Sequence, residues 1–182
     1  MLLSNAGLTF EVVAADVDER AIQQGSGLEE PGEIAALLAR EKALWVSSRR
    51  LGHYVIGADQ TLAIGQELFT KPADRGQAFA QLKRLVGRSH QLHSAVAVAH
   101  DGKLVFEHVA VAELTMRAMG EAEIAAYLDE AGEAVTSSVG AYQLEGLGVH
   151  LFERIKGDHF TILGLPLLPL LSFLRSQSLL AI

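Results

Sequence analysis

The chain has 182 residues, no cysteine, and 22 acidic against 15 basic side chains, which gives a formal net charge of −7. The length suits a single domain, and a hydrophobic share of 49% indicates a globular protein rather than a disordered or fibrous one. The acidic balance counts against a non-specific nucleic-acid binder, and the absence of cysteine excludes disulfides, thiolate nucleophiles and cysteine-based zinc sites. A chain without cysteine also fits a cytoplasmic protein.

Between residues 10 and 59 the sequence predicts two strands, a loop and a helix. Residues 10–13 form a strand-like apolar run, and residues 23–32, of which four in ten are glycine or proline, predict a mobile surface loop. The apolar spacing of residues 33–50 predicts a helix. Residues 54–57 predict a short buried strand that ends at Asp59.

From residue 75 onward the sequence predicts two helices, at residues 75–86 and 121–131, and three strands, at residues 92–99, 104–114 and 149–155. The Asp101-Gly102 pair between two of these strands is a strong hairpin signal. Because helices and strands alternate and a hairpin is present, the sequence predicts an α/β fold with a mixed sheet.

Neither end of the chain predicts targeting to a membrane. The first seven residues have no basic segment followed by a long apolar run, so we expect no signal peptide. Residues 161–182 carry Arg175 as their only charge, but Pro166 and Pro169 interrupt the run early. We therefore expect a core helix there and no membrane association.

Two charged residues follow strand-like runs. Asp59 comes just past the apolar residues 54–57, where an α/β sheet often presents a ligand, although a turn aspartate gives the same pattern. Lys71 follows the strand-like residues 67–69, and Pro72 ends that strand. A lysine at that place is either a phosphate ligand or a solvated surface residue.

Further charged candidates lie nearer the N-terminus. Lys42 borders the apolar face of the predicted first helix, where extension of its stem along that face is the simplest explanation. Asp16, Asp18 and Glu19 form a cluster that suits a hard cation or, equally, a solvated acidic turn. The histidines have no metal-site spacing, and the P-loop and dinucleotide-binding motifs are absent from the sequence.

Taken together, eight short motifs occur in one order: Asp18-Glu19, Leu38-Ala39-x-x-Lys42-Ala43, Val55-Ile56-Gly57-Ala58-Asp59, Lys71-Pro72, Ser137-x-x-Gly140-x-Tyr142, Glu145-Gly146-x-Gly148, Glu153-Arg154-Ile155-x-Gly157-Asp158 and Gly164-Leu165-Pro166-Leu167. This order resembles the Maf family over nearly the whole chain. The resemblance implies an elongated mixed sheet flanked by helices, like that of the inosine triphosphatases. It also implies hydrolysis of a nucleoside triphosphate between its α- and β-phosphates, with Mg²⁺ or Mn²⁺ as cofactor.

The resemblance assigns a role to each candidate residue. Asp59 is expected to accept the proton of water and to hold the metal with Glu19, while Lys42 and Lys71 are expected to bind phosphates. The residues at positions 60 and 145, Gln60 and Glu145, resemble those of the 7-methyl-GTP pyrophosphatase branch of the family. A carboxylate at Glu145 suits the N1–H and N2–H₂ donors of guanine. A dTTP/UTP pyrophosphatase, and a weakly active or inactive nucleotide-binding regulatory protein, remain the alternatives.

The resemblance also describes the domain and its partners. It treats residues 1–182 as one Maf-like domain that lacks the family's N-terminal strand and Ser-x-Ser-x-x-Arg loop. We expect a nucleoside triphosphate as the binding partner, no nucleic acid, and a homodimer as in other family members.

Overall fold

The structure is a computed structural model that describes residues 2–180. Seven α-helices occur in this part of the chain: α1 Leu2–Asn5, α2 Glu19–Ser26, α3 Pro31–Ser47, α4 Arg75–Leu85, α5 Glu121–Ala131, α6 His159–Ile162 and α7 Leu167–Ser176. Three short 3₁₀ helices lie between α5 and the last strand, at Gly132–Thr136, Val139–Ala141 and Leu147–Leu151. Within the described residues, no helix has both the length and the apolar character needed to cross a membrane.

Five strands form one sheet in the order β2-β1-β3-β4-β5: β1 Tyr54–Ile64, β2 Glu67–Phe69, β3 Ser89–His100, β4 Lys103–Met116 and β5 Phe152–Lys156. β1 and β2 pair antiparallel with Leu62 opposite Phe69, and β4 and β5 pair antiparallel with Leu114 opposite Ile155. Helices and strands therefore combine as the sequence predicts, which confirms the α/β class.

Most predicted elements are present. The structure confirms the helices near residues 75–86 and 121–131 and the C-terminal core helix, in which Leu167, Leu170 and Leu174 are buried. The last two residues of the predicted C-terminal run lie outside the described part of the chain. The hairpin is also confirmed, because Asp101 and Gly102 have φ of 49° and 74°, the positive values that a type I′ turn requires.

Three local predictions are wrong. Residues 10–13 form no strand, and Val12 is 84% exposed. Residues 23–26 belong to α2 rather than to a loop, because Asp18 caps that helix by accepting a hydrogen bond from the Ala21 amide at 2.9 Å. β1 does not end at Asp59 but continues to Ile64, so Asp59 lies inside a strand.

The chain divides into two compact units. The first contains Met1–Gln60, His93–Ala110 and Asp158–Ile182, and the second contains Thr61–Leu92 and Val111–Gly157. In the first unit the two faces of β3 pack differently. Ala95, Ala97 and Ala99 belong to a cluster with the alanines of α3, whereas Val96 and Val98 pack with leucines of α7. This alternation follows from the two-residue period of a strand.

The second unit is built around α4 and α5, which pack against each other. Their buried residues include Leu82 and Leu85 of α4 and Ile124 and Leu128 of α5. Exposed ion pairs, such as Lys83 with Glu121, add little to this packing. The buried aliphatic side chains therefore supply most of the stability of this contact.

Candidate active site

Three predicted residues meet around one ammonium group. The Nζ atom of Lys42, on α3, lies 2.6 Å from Oδ1 of Asp59, on β1, and 2.8 Å from Oε1 of Glu19, on α2. The side chain of Asp59 is 12% exposed, that of Lys42 24% and that of Glu19 53%. The cluster therefore runs from a nearly buried carboxylate to one that faces solvent.

Close packing of α3 on β1 creates this meeting. A Cβ on Gly57 would lie 2.3 Å from the carbonyl oxygen of Ala39 and 2.8 Å from the amide nitrogen of Ala43, so only glycine fits there. Gly57 and Asp59 are two residues apart and share one face of β1. Lys42 lies on the turn of α3 that contacts this face. The glycine thus brings the helix close enough for Lys42 to reach Asp59.

The position of Glu19 follows from the start of α2. Asp18 uses its carboxylate as the N-cap, and Glu19 is the first residue of the helix. Of the predicted acidic cluster, Asp18 therefore serves the helix, while Glu19 extends to Lys42. An acidic side chain in the first turn also interacts favourably with the helix dipole.

The charge state of the cluster is set by two opposing effects. Burial lowers the pKa of Lys42, but hydrogen bonds from Lys42 to Asp59 and Glu19 outweigh it, so that the pKa lies above the usual value. Lys42 is therefore a cation at neutral pH. Its position shows that two carboxylates direct oxygens at one point where positive charge is stabilised.

These carboxylates fit a divalent cation of the kind that the sequence predicts. Mg²⁺ takes one or two protein carboxylates and completes its coordination with water and substrate phosphates. Glu19 and Asp59 supply that number of oxygen ligands. Among residues 2–180, no group of three or more histidine, aspartate or glutamate side chains is placed to hold a metal by itself.

Gln60 lies on the opposite face of β1 from Asp59. Its Nε2 atom contacts the hydroxyl oxygen of Ser94 at 2.8 Å and the carbonyl oxygens of Thr161 and Ile162 at 3.1 and 3.2 Å. Ser94 donates to the same Thr161 carbonyl at 2.6 Å. The amide of Gln60 therefore holds α6 against β1 and β3.

Lys71 and Glu145 both belong to the second unit. Lys71 is exposed in the segment between β2 and α4, directly before the buried Pro72. Glu145 is exposed in the turn between the last two 3₁₀ helices. Both side chains are therefore accessible to solvent.

Comparison with known proteins decides the family. A model described as Maf-like protein matches residues 1–177. The chain belongs to the Maf family. This confirms the resemblance that the eight motifs carry.

Several relatives match this chain over nearly its whole length. A protein of Bradyrhizobium diazoefficiens named nucleoside triphosphate pyrophosphatase is 68% identical over 182 residues, which is 100% of this chain and 90% of the relative. A Rhodopseudomonas palustris BisB18 protein of the same name is 64% identical over 181 residues, with the same coverage of both chains. A Brucella abortus protein named 7-methyl-GTP pyrophosphatase is 49% identical over 179 residues, 97% of this chain and 89% of the relative.

Two features of this Maf-like chain escape prediction from sequence. One is a cavity of about 480 Å³ in the first unit, lined by Lys42, Arg50, His53 and the exposed Phe10 and Val12. The other is a buried contact in the second unit between His90 and Tyr142. Lys42 and Tyr142 belong to motifs, but the motifs do not indicate these features, because each feature brings together residues that are distant in the chain.

Proposed function

We propose that this Maf-family chain is a nucleoside triphosphate pyrophosphatase that releases a nucleoside monophosphate and pyrophosphate. The observation that carries the proposal is the cluster of Lys42 with Asp59 and Glu19, in which a cation and two carboxylates converge beside an open surface. Relatives at 68% and 64% identity bear the name of this activity. We also propose that residues 1–182 form one Maf-like domain, and the family match over residues 1–177 supports this.

In this proposal Asp59 is the general base. Hydrolysis adds one water molecule across the α–β phosphoanhydride bond, and Asp59 accepts the proton that the water loses as its oxygen bonds to phosphorus. The bridging bond breaks, and pyrophosphate takes the bonding electron pair. A carboxylate at 12% exposure, held by Lys42, is oriented for such a transfer before substrate arrives.

The lysines bind the triphosphate. A chain with a net charge of −7 does not attract a polyanion through its overall field, so local cations must supply the attraction. Lys42 offers three donor hydrogens, more than its two carboxylate partners use, and Lys71 is exposed. Positioning and charge neutralisation are the main contributions that proteins make to phosphoryl transfer.

Glu19 and Asp59 are the residues that would hold a divalent metal, either Mg²⁺ or Mn²⁺. An ion held by these carboxylates would offset the charge of the triphosphate and of the leaving pyrophosphate. The convergence of both carboxylates on the Lys42 ammonium supports this assignment.

For the nucleobase, we favour a guanine methylated at N7. The exposed carboxylate of Glu145 matches the two adjacent donors of guanine, and its charge suits the cationic methylated ring. The Brucella relative bears the name of this activity. Gln60 supports specificity from the other face of β1, by fixing the backbone at Thr161 and Ile162.

The test is pyrophosphate release with Mg²⁺ or Mn²⁺ from 7-methyl-GTP, GTP, UTP, dTTP, CTP and ATP. Asp59→Asn is compared with Asp129→Asn, which removes an exposed charge in an ion pair with Arg75. We expect release led by 7-methyl-GTP, lost in the first variant and kept in the second.

Each other outcome has a defined meaning. If UTP or dTTP gives the fastest release, the proposed pyrophosphatase activity is kept and the assignment of guanine as the nucleobase is overturned. Release that survives Asp59→Asn overturns the role of Asp59. Nucleotide binding without release from any substrate favours a regulatory nucleotide-binding protein.

A further inference from the structure

A histidine and a tyrosine form a buried contact in the second unit. His90, at the start of β3, is 1% exposed, and Tyr142 is 5% exposed. Nε2 of His90 lies 2.7 Å from the hydroxyl oxygen of Tyr142. The ring of Phe152 packs against both, with centroids 5.9 Å from His90 and 4.8 Å from Tyr142. The two polar groups thus meet inside an aromatic cluster.

Tyr142 belongs to the segment that carries Glu145. We call residues 137–148 the glycine loop. Two hydroxyl groups hold its backbone near Tyr142. Ser138 donates to the carbonyl oxygen of Tyr142 at 2.7 Å, and Tyr127 donates to that of Ala141 at 3.1 Å. The side chain of Tyr142 adds a third attachment through His90.

Two glycines, one on either side of Tyr142, also restrict the backbone of the glycine loop. Gly140 has φ of 80°, and a Cβ there would lie 2.5 Å from Cδ1 of Leu62. A Cβ on Gly148 would lie 2.3 Å from the carbonyl oxygen of Gln143. The turn that exposes Glu145 therefore lies between a close approach of Gly140 to the Leu62 side chain and one of Gly148 to the Gln143 backbone, and Tyr142 anchors it three residues before Glu145.

We propose that His90 is a positioning residue for nucleobase recognition, which acts through Tyr142 to hold the carboxylate of Glu145 in place. The inference rests on the proposed function, because it takes Glu145 as the base contact. His90 itself touches no substrate. Its effect is to fix the glycine loop before the nucleotide binds, so that Glu145 loses little freedom on binding.

The protonation states keep this contact intact under ordinary conditions. Burial lowers the pKa of His90 to about 4 and raises that of Tyr142 far above its usual value. Both groups are neutral near pH 7, and one donates a hydrogen to the other. Nδ1 of His90 is buried with no hydrogen-bond partner among the described residues, so the contact through Nε2 is the hydrogen bond that links this ring to the glycine loop.

The test couples Tyr142 to Glu145. Wild type, Tyr142→Phe, Glu145→Gln and the double variant are compared for kcat and KM with 7-methyl-GTP and with UTP, and for binding of 7-methyl-GMP by calorimetry. Tyr54→Phe, which removes an exposed tyrosine hydroxyl in the first unit, is the matched control. His90→Gln tests the other end of the contact.

We expect Tyr142→Phe and His90→Gln to raise KM for 7-methyl-GTP about tenfold, the effect of one hydrogen bond, with kcat changed less than about twofold. The preference over UTP falls by the same factor. In the Glu145→Gln background, Tyr142→Phe has no further effect on this preference, whereas Tyr54→Phe changes nothing in any background.

Other results overturn the inference. Equal losses for both nucleotides, or an effect of Tyr142→Phe that persists in full without Glu145, show a purely structural role. If the protein binds 7-methyl-GMP selectively and this binding depends on Tyr142, but no pyrophosphate is released, the proposed hydrolase activity is rejected and the inference is kept. Pyrophosphate release with unchanged discrimination rejects the inference alone, and a chain that neither binds nor turns over nucleotide rejects both.

Discussion

The Nζ atom of Lys42 lies 2.6 Å from Oδ1 of Asp59, although the two residues are 17 positions apart on different elements. The contact is a charge-assisted hydrogen bond between side chains that are mostly buried. It holds the proposed base in one orientation and gives Asp59 a counter-charge.

Replacement of this lysine is expected to reduce catalysis. Lys42→Met keeps the aliphatic stem and removes the charge, so we expect pyrophosphate release to fall about ten- to a hundredfold in kcat/KM. Lys103→Met, at an exposed lysine of β4, is the matched control and should keep wild-type activity. Equal activity of both variants contradicts the proposed role of Lys42.

Gly57 is expected to tolerate no side chain. A Cβ there overlaps the Ala39 carbonyl and the Ala43 amide of α3, and backbone atoms do not move aside easily. We expect Gly57→Ala to lower the free energy of unfolding by about 3 kcal/mol or more, measured by urea denaturation. Gly25→Ala, within α2 and with open space around it, should instead raise stability by up to about 1 kcal/mol. A stable Gly57→Ala protein disproves the close approach of α3 to β1.

Gln60 is expected to matter for stability as well as for specificity. Gln60→Glu places a carboxylate against the carbonyl oxygens of Thr161 and Ile162, which only accept hydrogen bonds. We expect a loss of about 2 kcal/mol in the free energy of unfolding at pH 7.5. Gln24→Glu, at an exposed position of α2, should leave the urea midpoint unchanged. The same midpoint for both variants argues against the described contacts of Gln60.

Stability is expected to fall in acid partly through His90. Burial lowers its pKa from 6.5 to about 4, so between these pH values the unfolded chain binds the proton and the native chain does not. His90 therefore does not change the free energy of unfolding above pH 6.5, and it lowers that free energy by about 3 kcal/mol as the pH falls to 4. Urea midpoints at several pH values between 7 and 4 measure this slope.

The variant His90→Gln isolates the contribution of that histidine, since the carboxylates of the chain also respond to acid. We expect a shallower decline of stability with pH in His90→Gln than in wild type, and the wild-type decline in His53→Gln, whose side chain is exposed. Parallel curves for wild type and His90→Gln would falsify the buried, neutral state of His90.

Local signals in the sequence predicted the elements that depend on neighbouring residues. The hairpin at Asp101-Gly102 and the helices near residues 75–86 and 121–131 are present, because turn chemistry and helical periodicity act over a few positions. The family was also predictable from the order of short motifs, and the match over residues 1–177 confirms it.

Local composition failed where strand pairing or helix capping decides the outcome. The apolar residues 10–13 suggest a strand by composition, but they pair with no strand and Val12 is exposed. Gly25 and its neighbours suggest a loop, but the Asp18 cap starts a helix that includes Gly25 and is capped at its end by Gly27. β1 passes beyond Asp59 because its partner β2 pairs with residues 62–64, which the short apolar run at residues 54–57 does not indicate.

By itself the sequence determined the α/β class, the family and the identities of the candidate residues. Only the tertiary structure decided which residues meet. Lys42 contacts Asp59 and Glu19. Gln60 contacts Thr161, which is 101 positions away, and His90 contacts Tyr142, which is 52 positions away. The reason is that such contacts depend on the packing of α3 on β1 and on which face of a strand a residue occupies. A one-residue step along β1 sends Asp59 and Gln60 to opposite faces, and no motif records that separation.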